Sequence, residues 1–453
     1  MEEKNRKRKR KHKVQTFLLT LVCLFLIAVA FAYVWNKYFS VELQFNNEYT
    51  GFVVVGLYTL LFYILAALYQ TFKISIKKIS EMVYSGVLSV FLSTLIIYIV
   101  IFLLQQSFPN INGIIFHLIM QFLVIVIWAL ISNRIYFMIN KPKKTLVITD
   151  KRRTFSTLIS NYGLTGRYEV KNNLDIKEFK KDTGAYIKDI ETIFVSGVSS
   201  KDRNNILKLC VDKAIDVYVI PKVGDVILRS SEDLPLFHLP VLKVERFDPS
   251  IVYLFIKRFF DLLVSIIGLI ITSPIMLIAA LLIYFYDKGA VLYKQTRLTK
   301  NGKEFNVLKF RSMKMDAEKD GVARLSTGDN DSRITPIGKF IRATRIDELP
   351  QLINILKGDM SLVGPRPERP EIAEQYQEIL PEFKLRLQAK AGLTGYAQVY
   401  GKYNTTPYDK LLMDLIYISE PSIIEDVKLI FATIKILFMK DSTEGIEEGK
   451  TTA

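Results

Sequence analysis

Apolar runs long enough to cross a bilayer constrain this chain before anything else does. A helix needs about 20 apolar residues to cross a hydrocarbon core ~30 Å thick. Four windows near the N-terminus reach that length: Val14–Trp35, Thr50–Tyr69, Val83–Leu104 and Ile114–Met138. Their connections alternate in charge. Lys37, Glu42 and Glu48 lie between the first two windows, Lys73, Lys77 and Lys78 between the second and third, and the uncharged QQSFPNING between the third and fourth. Arg134, Lys141, Lys143 and Lys144 mark the end of the fourth. Basic connections stay on the cytoplasmic side, so a four-helix transmembrane bundle over 14–140 is expected with both ends facing the cytoplasm.

The charge balance agrees with that reading. Half of the 453 residues are apolar and the mean hydropathy is +0.22, yet the formal net charge is +16. The combination suits a membrane protein with a basic aqueous side. Residues 1–13, MEEKNRKRKRKHK, hold eight Lys or Arg against two Glu, and so carry +6 of that charge. Because the tail runs directly into VQTFLLTLVCLFLIAVAFAYVW, it reads as the cytoplasmic flank of an uncleaved helix, and no nucleic-acid partner is expected. Cys23 and Cys210 stand in different regions without partners at metal spacing, and His12, His117 and His238 do not cluster. Carboxylates are therefore left to carry any acid, base or nucleophilic chemistry.

From Thr145 the texture changes. TLVITD (145–150), TIFVSG (192–197) and DVYVIP (216–221) are short β-branched runs separated by charged segments. That rhythm predicts parallel strands with helical crossovers, a Rossmann-like cytoplasmic domain over 141–248. The dinucleotide fingerprint is missing, because TDKRRTF stands where its glycines would follow the first strand. A regulatory or scaffolding role is expected for this domain.

A fifth apolar run, Leu262–Tyr286, is interrupted only by Ser265, Thr272 and Ser273, with Pro274 near its midpoint. As one straight helix it would extend ~37 Å. Two readings are open: a kinked helix that spans, or a re-entrant helical hairpin over about 257–288. In the second, Ser273 and Pro274 form the break, and Lys257, Arg258, Asp287 and Lys288 share one interface.

Downstream, RIDELPQL has its own logic. Pro350 suits the first turn of a helix, which sets Asp347 and Glu348 at or just before a helix start, where partial positive charge favours carboxylates and phosphate oxygens. An ordinary acidic cap would look the same, but Lys339, Arg342 and Arg345 could also gather a diphosphate. In GPRPE, Arg366 sits between two prolines that restrict the backbone, and in KFRSM, Lys309 and Arg311 fall on one side of an extended segment.

Taken together, YKQTRLTKNGKEFNVLKFRSM, RITPIGKFIRATRIDELPQLINILKGDMSLVGPRPE and AGLTGYAQVYG resemble the bacterial sugar transferases. These monotopic phosphoglycosyl transferases move a sugar 1-phosphate from a nucleotide diphosphate sugar onto a polyprenyl phosphate. The resemblance covers about 255–440, and the bundle and α/β domain ahead of it are similar to the long members that initiate capsule or exopolysaccharide repeats. It implies the re-entrant reading of Ser273-Pro274. It also implies Asp347 as nucleophile through an acyl phosphate, Glu348 beside it as a Mg²⁺ ligand with Asp347 adjoining, and Arg366, Arg345, Arg342, Lys309 and Arg311 as phosphate-binding candidates. Asp414 and Gln398 match motif positions without an assigned role. Tyr396 and Tyr400 depart from common family spellings, which bears on the sugar pocket.

The expected fold class is thus membrane α plus α/β: four transmembrane helices, the Rossmann-like domain, and a mainly helical monotopic catalytic domain over 249–453. The expected partners are a UDP-sugar (UDP-glucose, with UDP-galactose as the alternative), undecaprenyl phosphate, membrane lipids, a second copy in a homodimer, and other polysaccharide-assembly proteins. The expected location is the bacterial inner membrane with catalysis on the cytoplasmic face. Two rival functions are a metal-dependent glycosyltransferase releasing nucleoside diphosphate, prompted by DND at 329–331, and a non-enzymatic membrane scaffold or sensor.

Overall fold

The computed structural model describes residues 2–39, 48–150, 155–236, 238–315, 317, 331, 333–401 and 405–437. Two compact units divide the chain, residues 1–220 and 221–453. Residues 221–248, which the sequence rhythm grouped with the α/β segment, belong by contact to the second unit.

The first unit opens with four long helices, α1 (Glu2–Val34), α2 (Glu48–Leu68), α3 (Ile79–Gln105) and α4 (Ile111–Ile139). All four are long and apolar enough to cross a membrane. Their outer surface is as apolar as their core, which is built on Ile27, Phe31, Phe62 and Ile125. Phe17, Phe25, Phe52, Ile115 and Ile127 are exposed, whereas His117, Gln121, Ser89 and Ser93 are buried. In lipid there is no hydrophobic drive between helices, so buried polar ties and close packing hold such a bundle together. Here Gln121 Nε2 donates to the Ile27 carbonyl (3.1 Å), Trp128 Nε1 donates to the Leu19 carbonyl (2.9 Å), and His117 Nε2 lies 3.0 Å from the Tyr58 hydroxyl.

A parallel sheet follows, with strands β1 (Lys143–Thr149), β2 (Tyr168–Leu174), β3 (Thr192–Ser196) and β4 (Asp216–Val219) in the order β2-β1-β3-β4. Short helices α5 (Phe155–Asn161), α6 (Ile176–Lys181), α7 (Thr183–Ile187) and α8 (Ser200–Asp212) make the crossovers. Strand β3 is buried along its whole length, as a central parallel strand covered on both faces should be. The mixed α/β character expected from 141 onward is present; residues 151–154 of TDKRRTF lie outside the described residues.

The second unit begins with α9 (Val223–Arg229) and a hairpin, β5 (Glu232–Leu236) with β6 (Leu239–Lys243). The fifth apolar run is α10 (Ile251–Asp287), a single 37-residue helix with Pro274 inside it. Pro274 has no N–H, which leaves the Ile270 carbonyl one turn earlier without its helical donor. The Ser273 hydroxyl donates to that carbonyl at 2.8 Å. Both ends of α10 are tied to the same compact unit. Near the start, Lys257 pairs with Asp426 (2.8 Å), Arg258 donates to the Ile355 and Leu356 carbonyls, and Asp261 accepts from the Leu362 N–H. At the far end Asp287 pairs with Arg311, and Ala279 and Ile283 pack with Phe310 and Ile341.

Beyond α10 lie a second hairpin, β7 (Leu292–Leu298) with β8 (Glu304–Phe310), then α11 (Pro336–Ala343) and α12 (Gln351–Lys357). A two-stranded parallel pair, β9 (Met360–Val363) with β10 (Ala391–Thr394), encloses α13 (Pro370–Ile379). The described chain ends with α14 (Tyr396–Tyr400), α15 (Pro407–Ser419) and α16 (Ile423–Leu437).

Candidate active site

Three backbone devices bring the acidic pair and its cations together. Helix α11 starts on Thr335, whose hydroxyl accepts the Gly338 N–H at 2.9 Å, with Pro336 in the first turn. After α11, Arg345 takes a left-handed conformation (φ +57°) that redirects the chain into a 3₁₀ turn over Ile346–Glu348. The acidic pair sits in that turn. Pro350 caps α12 from the position before its first residue, so Asp347 and Glu348 precede the helix and are not part of it. Asn354 on α12 then accepts the Leu308 N–H (2.9 Å) and donates to the Asn306 carbonyl (2.8 Å), which pins the helix to β8 and so sets Glu348 against Lys309.

Glu348 is surrounded by positive charge. Its Oε1 lies 3.0 Å from Lys309 Nζ, 3.7 Å from Arg366 and 3.8 Å from Arg345. Burial opposes its ionisation, but Lys309, Arg366 and Arg345 outweigh burial and hold its carboxyl below the usual range. Asp347 behaves in the opposite way. It is 7 % exposed and its Oδ1 makes no hydrogen bond. Burial, with the charge of Glu348 added, pushes its carboxyl up to about 6, only partly offset by Lys309, Arg342 and Arg345. The turn thus does not keep both carboxyls equally ionised, as a plain helix start would.

Arg366 is placed by a loop whose carbonyls are nearly all held. The Gly364 N–H donates to the Thr394 carbonyl, and the Gly392 N–H donates to the Pro365 carbonyl, both at 2.9 Å. Arg386 grips the Arg366 carbonyl (2.8 Å) and Arg297 grips that of Pro367 (3.0 Å). A Cβ on Gly392 would fall 2.1 Å from the Gly364 nitrogen, so the two motifs GPRPE and AGLTG are each other's backbone partners. Only the Arg366 side chain, 43 % exposed, is left to reach outward.

Other candidates fall elsewhere. Arg311 pairs with Asp287 at the end of α10, away from the Glu348 cluster that holds Lys309. Asp414 is fully buried against Arg386 (2.7 Å), which also reaches Glu368 (3.3 Å), and Arg386 with the Arg366 carbonyl links it to the acidic site. Gln398 donates to the Leu393 carbonyl (3.0 Å) and so braces the β10 loop. Ser273 and Pro274 lie in the middle of α10. Of DND, Asp331 is described and pairs with Arg333 (2.7 Å), while 329 and 330 lie outside the described residues. The sequence reading gave no role to Arg297 of YKQTR or Glu368 of GPRPE, and it missed Arg386, which no quoted motif contains.

Among the described residues no group of three or more His, Cys, Asp or Glu forms a metal cage. Two adjacent carboxylates, one with a buried oxygen lacking a hydrogen bond, nevertheless suit Mg²⁺, which takes one or two carboxylates and completes its shell with water and substrate phosphate.

Comparison with known proteins bears on this geometry. The sequence model described as "Bacterial sugar transferase" matches residues 252–440. The chain is 37 % identical over 234 residues, 51 % of its own length and 54 % of the relative's, to a UDP-N-acetylgalactosamine-undecaprenyl-phosphate N-acetylgalactosaminephosphotransferase of Aeromonas hydrophila. It is 38 % identical over 206 residues, 44 % of its length and 42 % of the relative's, to a UDP-glucose:undecaprenyl-phosphate glucose-1-phosphate transferase of Escherichia coli (strain K12). It is 42 % identical over 190 residues, 40 % of its length and 94 % of the relative's, to the exopolysaccharide production protein PSS of Rhizobium leguminosarum bv. phaseoli. The chain spans about half the length of the first two. With 94 % of the third relative covered at 42 % identity, and the family model matching the residues that build the acidic site, the chain belongs to the bacterial sugar transferase family.

Proposed function

We propose that the chain transfers a sugar 1-phosphate from a UDP-sugar to undecaprenyl phosphate at the cytoplasmic face of a bacterial inner membrane, as the first membrane step of a capsular or exopolysaccharide pathway. The observation that carries this reading is the division of labour between neighbours: Glu348 is neutralised by three cations, while Asp347 is buried beside it with an oxygen that makes no hydrogen bond. An Asp347 oxygen attacks the phosphorus that bears the sugar. The bond from that phosphorus to the bridging oxygen breaks, and UMP leaves with the electron pair. The phosphate oxygen of the polyprenyl lipid then attacks the same phosphorus, releasing polyprenyl diphosphate sugar and returning Asp347 as carboxylate. A covalent route suits two substrates of which one comes from water and the other from lipid. Lys309, Arg345 and Arg366 hold the phosphate charge, and Mg²⁺ held by Asp347 and Glu348 would offset anion repulsion during the transfer.

The tie of both α10 ends to one unit supports the re-entrant reading. If α10 crossed the bilayer, Lys257 and Asp426 would lie on opposite sides, yet they are 2.8 Å apart. The Ser273 hydroxyl on the Ile270 carbonyl lets the chain accept Pro274 in lipid without an unsatisfied acceptor. For the parallel sheet, a Rossmann-like scaffolding or regulatory role is the reading we favour.

The test supplies purified membranes with Mg²⁺, undecaprenyl phosphate and, separately, UDP-glucose, UDP-galactose and UDP-N-acetylgalactosamine. UMP release with one of them is expected. Release of UDP would favour direct glycosyl transfer, and no release with any would favour a scaffold.

A further inference from the structure

A cavity of about 620 Å³ opens between α1, the end of α2 and the connection that follows, well within the range of small-ligand sites. Its lining is graded. At one end stand Lys13 and Lys73, and His12 Nδ1 lies 2.9 Å from the Tyr136 hydroxyl; farther along come Phe17, Leu21, Leu24 and Tyr63. The connection that carries Lys73 is built rather than loose. Lys77 donates to the Tyr69 carbonyl and to Ser85 Oγ (3.1 Å), and Arg167 from the sheet domain donates to the Ile76 and Lys77 carbonyls. Lys13 and Lys73 are both exposed, and no ion pair or hydrogen bond of either ammonium is seen among the described residues. From Lys13 to Leu24 the helix advances ~16 Å, about half of a ~30 Å hydrocarbon core. The cavity therefore runs from a basic interface to the bilayer middle.

We propose that this cavity holds one anionic glycerophospholipid, its phosphate at Lys13 and Lys73 and an acyl chain along Phe17, Leu21 and Leu24. Lys13 and Lys73 stand at the mouth with no carboxylate among the lining residues, which suits an anion, and basic pockets between transmembrane helices at the anionic leaflet take phospholipid headgroups. A wall one leaflet deep matches an acyl chain and is short for a long isoprenoid, which distinguishes this lipid from the acceptor substrate.

Native mass spectrometry of the full chain, released from nanodiscs of mixed phosphatidylglycerol and phosphatidylcholine, tests it. Retention of one phosphatidylglycerol in preference to phosphatidylcholine is expected. Lys13→Gln with Lys73→Gln should lower that retention roughly tenfold, while Lys177→Gln with Lys201→Gln, exposed charges elsewhere, should not. Ala67→Phe, which fills the cavity and leaves both lysines, should lower it as well, with an unchanged unfolding temperature showing that the bundle is intact. Equal retention of the two lipids, an unaffected lysine or Ala67 variant, or preferential retention of undecaprenyl phosphate when it is added at equal amount would each overturn the assignment.

Discussion

Lys309 Nζ lies 3.0 Å from Glu348 Oε1, while the adjacent Asp347 keeps a buried oxygen without a hydrogen bond. One carboxylate is committed to cations and the other is held in reserve, and that asymmetry predicts different failures. Asp347→Asn should lose roughly 10³-fold or more in transfer and leave no phospho-sugar on the protein after incubation with the UDP-sugar alone. Glu348→Gln should also slow transfer, but a labelled adduct should still be trapped on Asp347. Intact-mass measurement on both variants decides the matter: an adduct on Asp347→Asn removes that residue as nucleophile.

Asp347 carries a stability cost that its removal should reveal. Its carboxyl, pushed up to about 6 by burial and by Glu348, lies above its value in an unfolded chain. The fold therefore prefers it protonated. Its contribution to stability is present below about pH 4 and lost as pH rises through about 6. In magnesium-free buffer at pH 7.5, Asp347→Asn should be more stable than the parent by on the order of 1–2 kcal/mol, and the difference should vanish near pH 4. For activity the sign reverses, since attack needs the ionised form. The acid limb of kcat/KM should lie near 6 at limiting magnesium and move to lower pH as magnesium is raised, because a cation favours the carboxylate. A limb that ignores magnesium would separate the metal from Asp347.

How much of this was legible beforehand depends on distance along the chain. The apolar windows and Ser273-Pro274 are local signals, and they locate α1 to α4 and α10 to within a few residues at most ends; the basic tail, however, continues α1 back to Glu2. Asp347 and Glu348 could be placed before a helix because Pro350 is three and two residues away. The hold of Arg386 on the Arg366 carbonyl joins positions 20 apart, and Gly392 meets Gly364 across 28, so neither is written in any one motif. Lys309 and Arg311 show the limit of a local pattern: alternation puts them on one side of an extended segment, but they meet different carboxylates, Glu348 and Asp287.

The glycine contact gives a substitution with a defined cost. Gly392→Ala would put a methyl 2.1 Å from the Gly364 nitrogen and 2.4 Å from the Thr394 carbonyl oxygen, both backbone atoms that cannot rotate away. A cost of about 1–3 kcal/mol or more is expected, and a shift of the Arg366 loop by about 1 Å should reduce kcat roughly 100-fold. Normal kcat in a folded Gly392→Ala protein would show that Arg366 placement is not set here.

The Arg386 pair separates stability from chemistry. Asp414→Ala leaves Arg386 buried with Glu368 as its remaining carboxylate partner, which should cost about 3 kcal/mol and lower the unfolding temperature of the unit by roughly 5–10 °C. Asp414→Asn keeps the shape and a hydrogen-bond acceptor, so it should cost less. An unfolding temperature unchanged in Asp414→Ala would mean that the pair contributes nothing net.

Pro274 lies inside α10. Its missing N–H and the Ser273 hydroxyl on the Ile270 carbonyl together let α10 carry a proline while Met276, Ala279 and Ile283 stay packed near Phe310 and Ile341. Pro274→Ala should restore the helical hydrogen bond and favour a straighter α10. Either the packing of Ala279 and Ile283 or the ties of Lys257 and Arg258 must then loosen. Reduced transfer and a lower unfolding temperature are expected, whereas Ser273→Ala, which leaves one carbonyl without its donor, should cost only about 1–2 kcal/mol. In a background lacking Cys23 and Cys210, single cysteines at Ser250 and Lys288 should both react with an impermeant maleimide from the cytoplasmic side. In the Pro274→Ala protein one of the two should become protected. Labelling of Ser250→Cys and Lys288→Cys from opposite sides in the parent would make α10 a spanning helix and contradict the 2.8 Å pairing of Lys257 with Asp426.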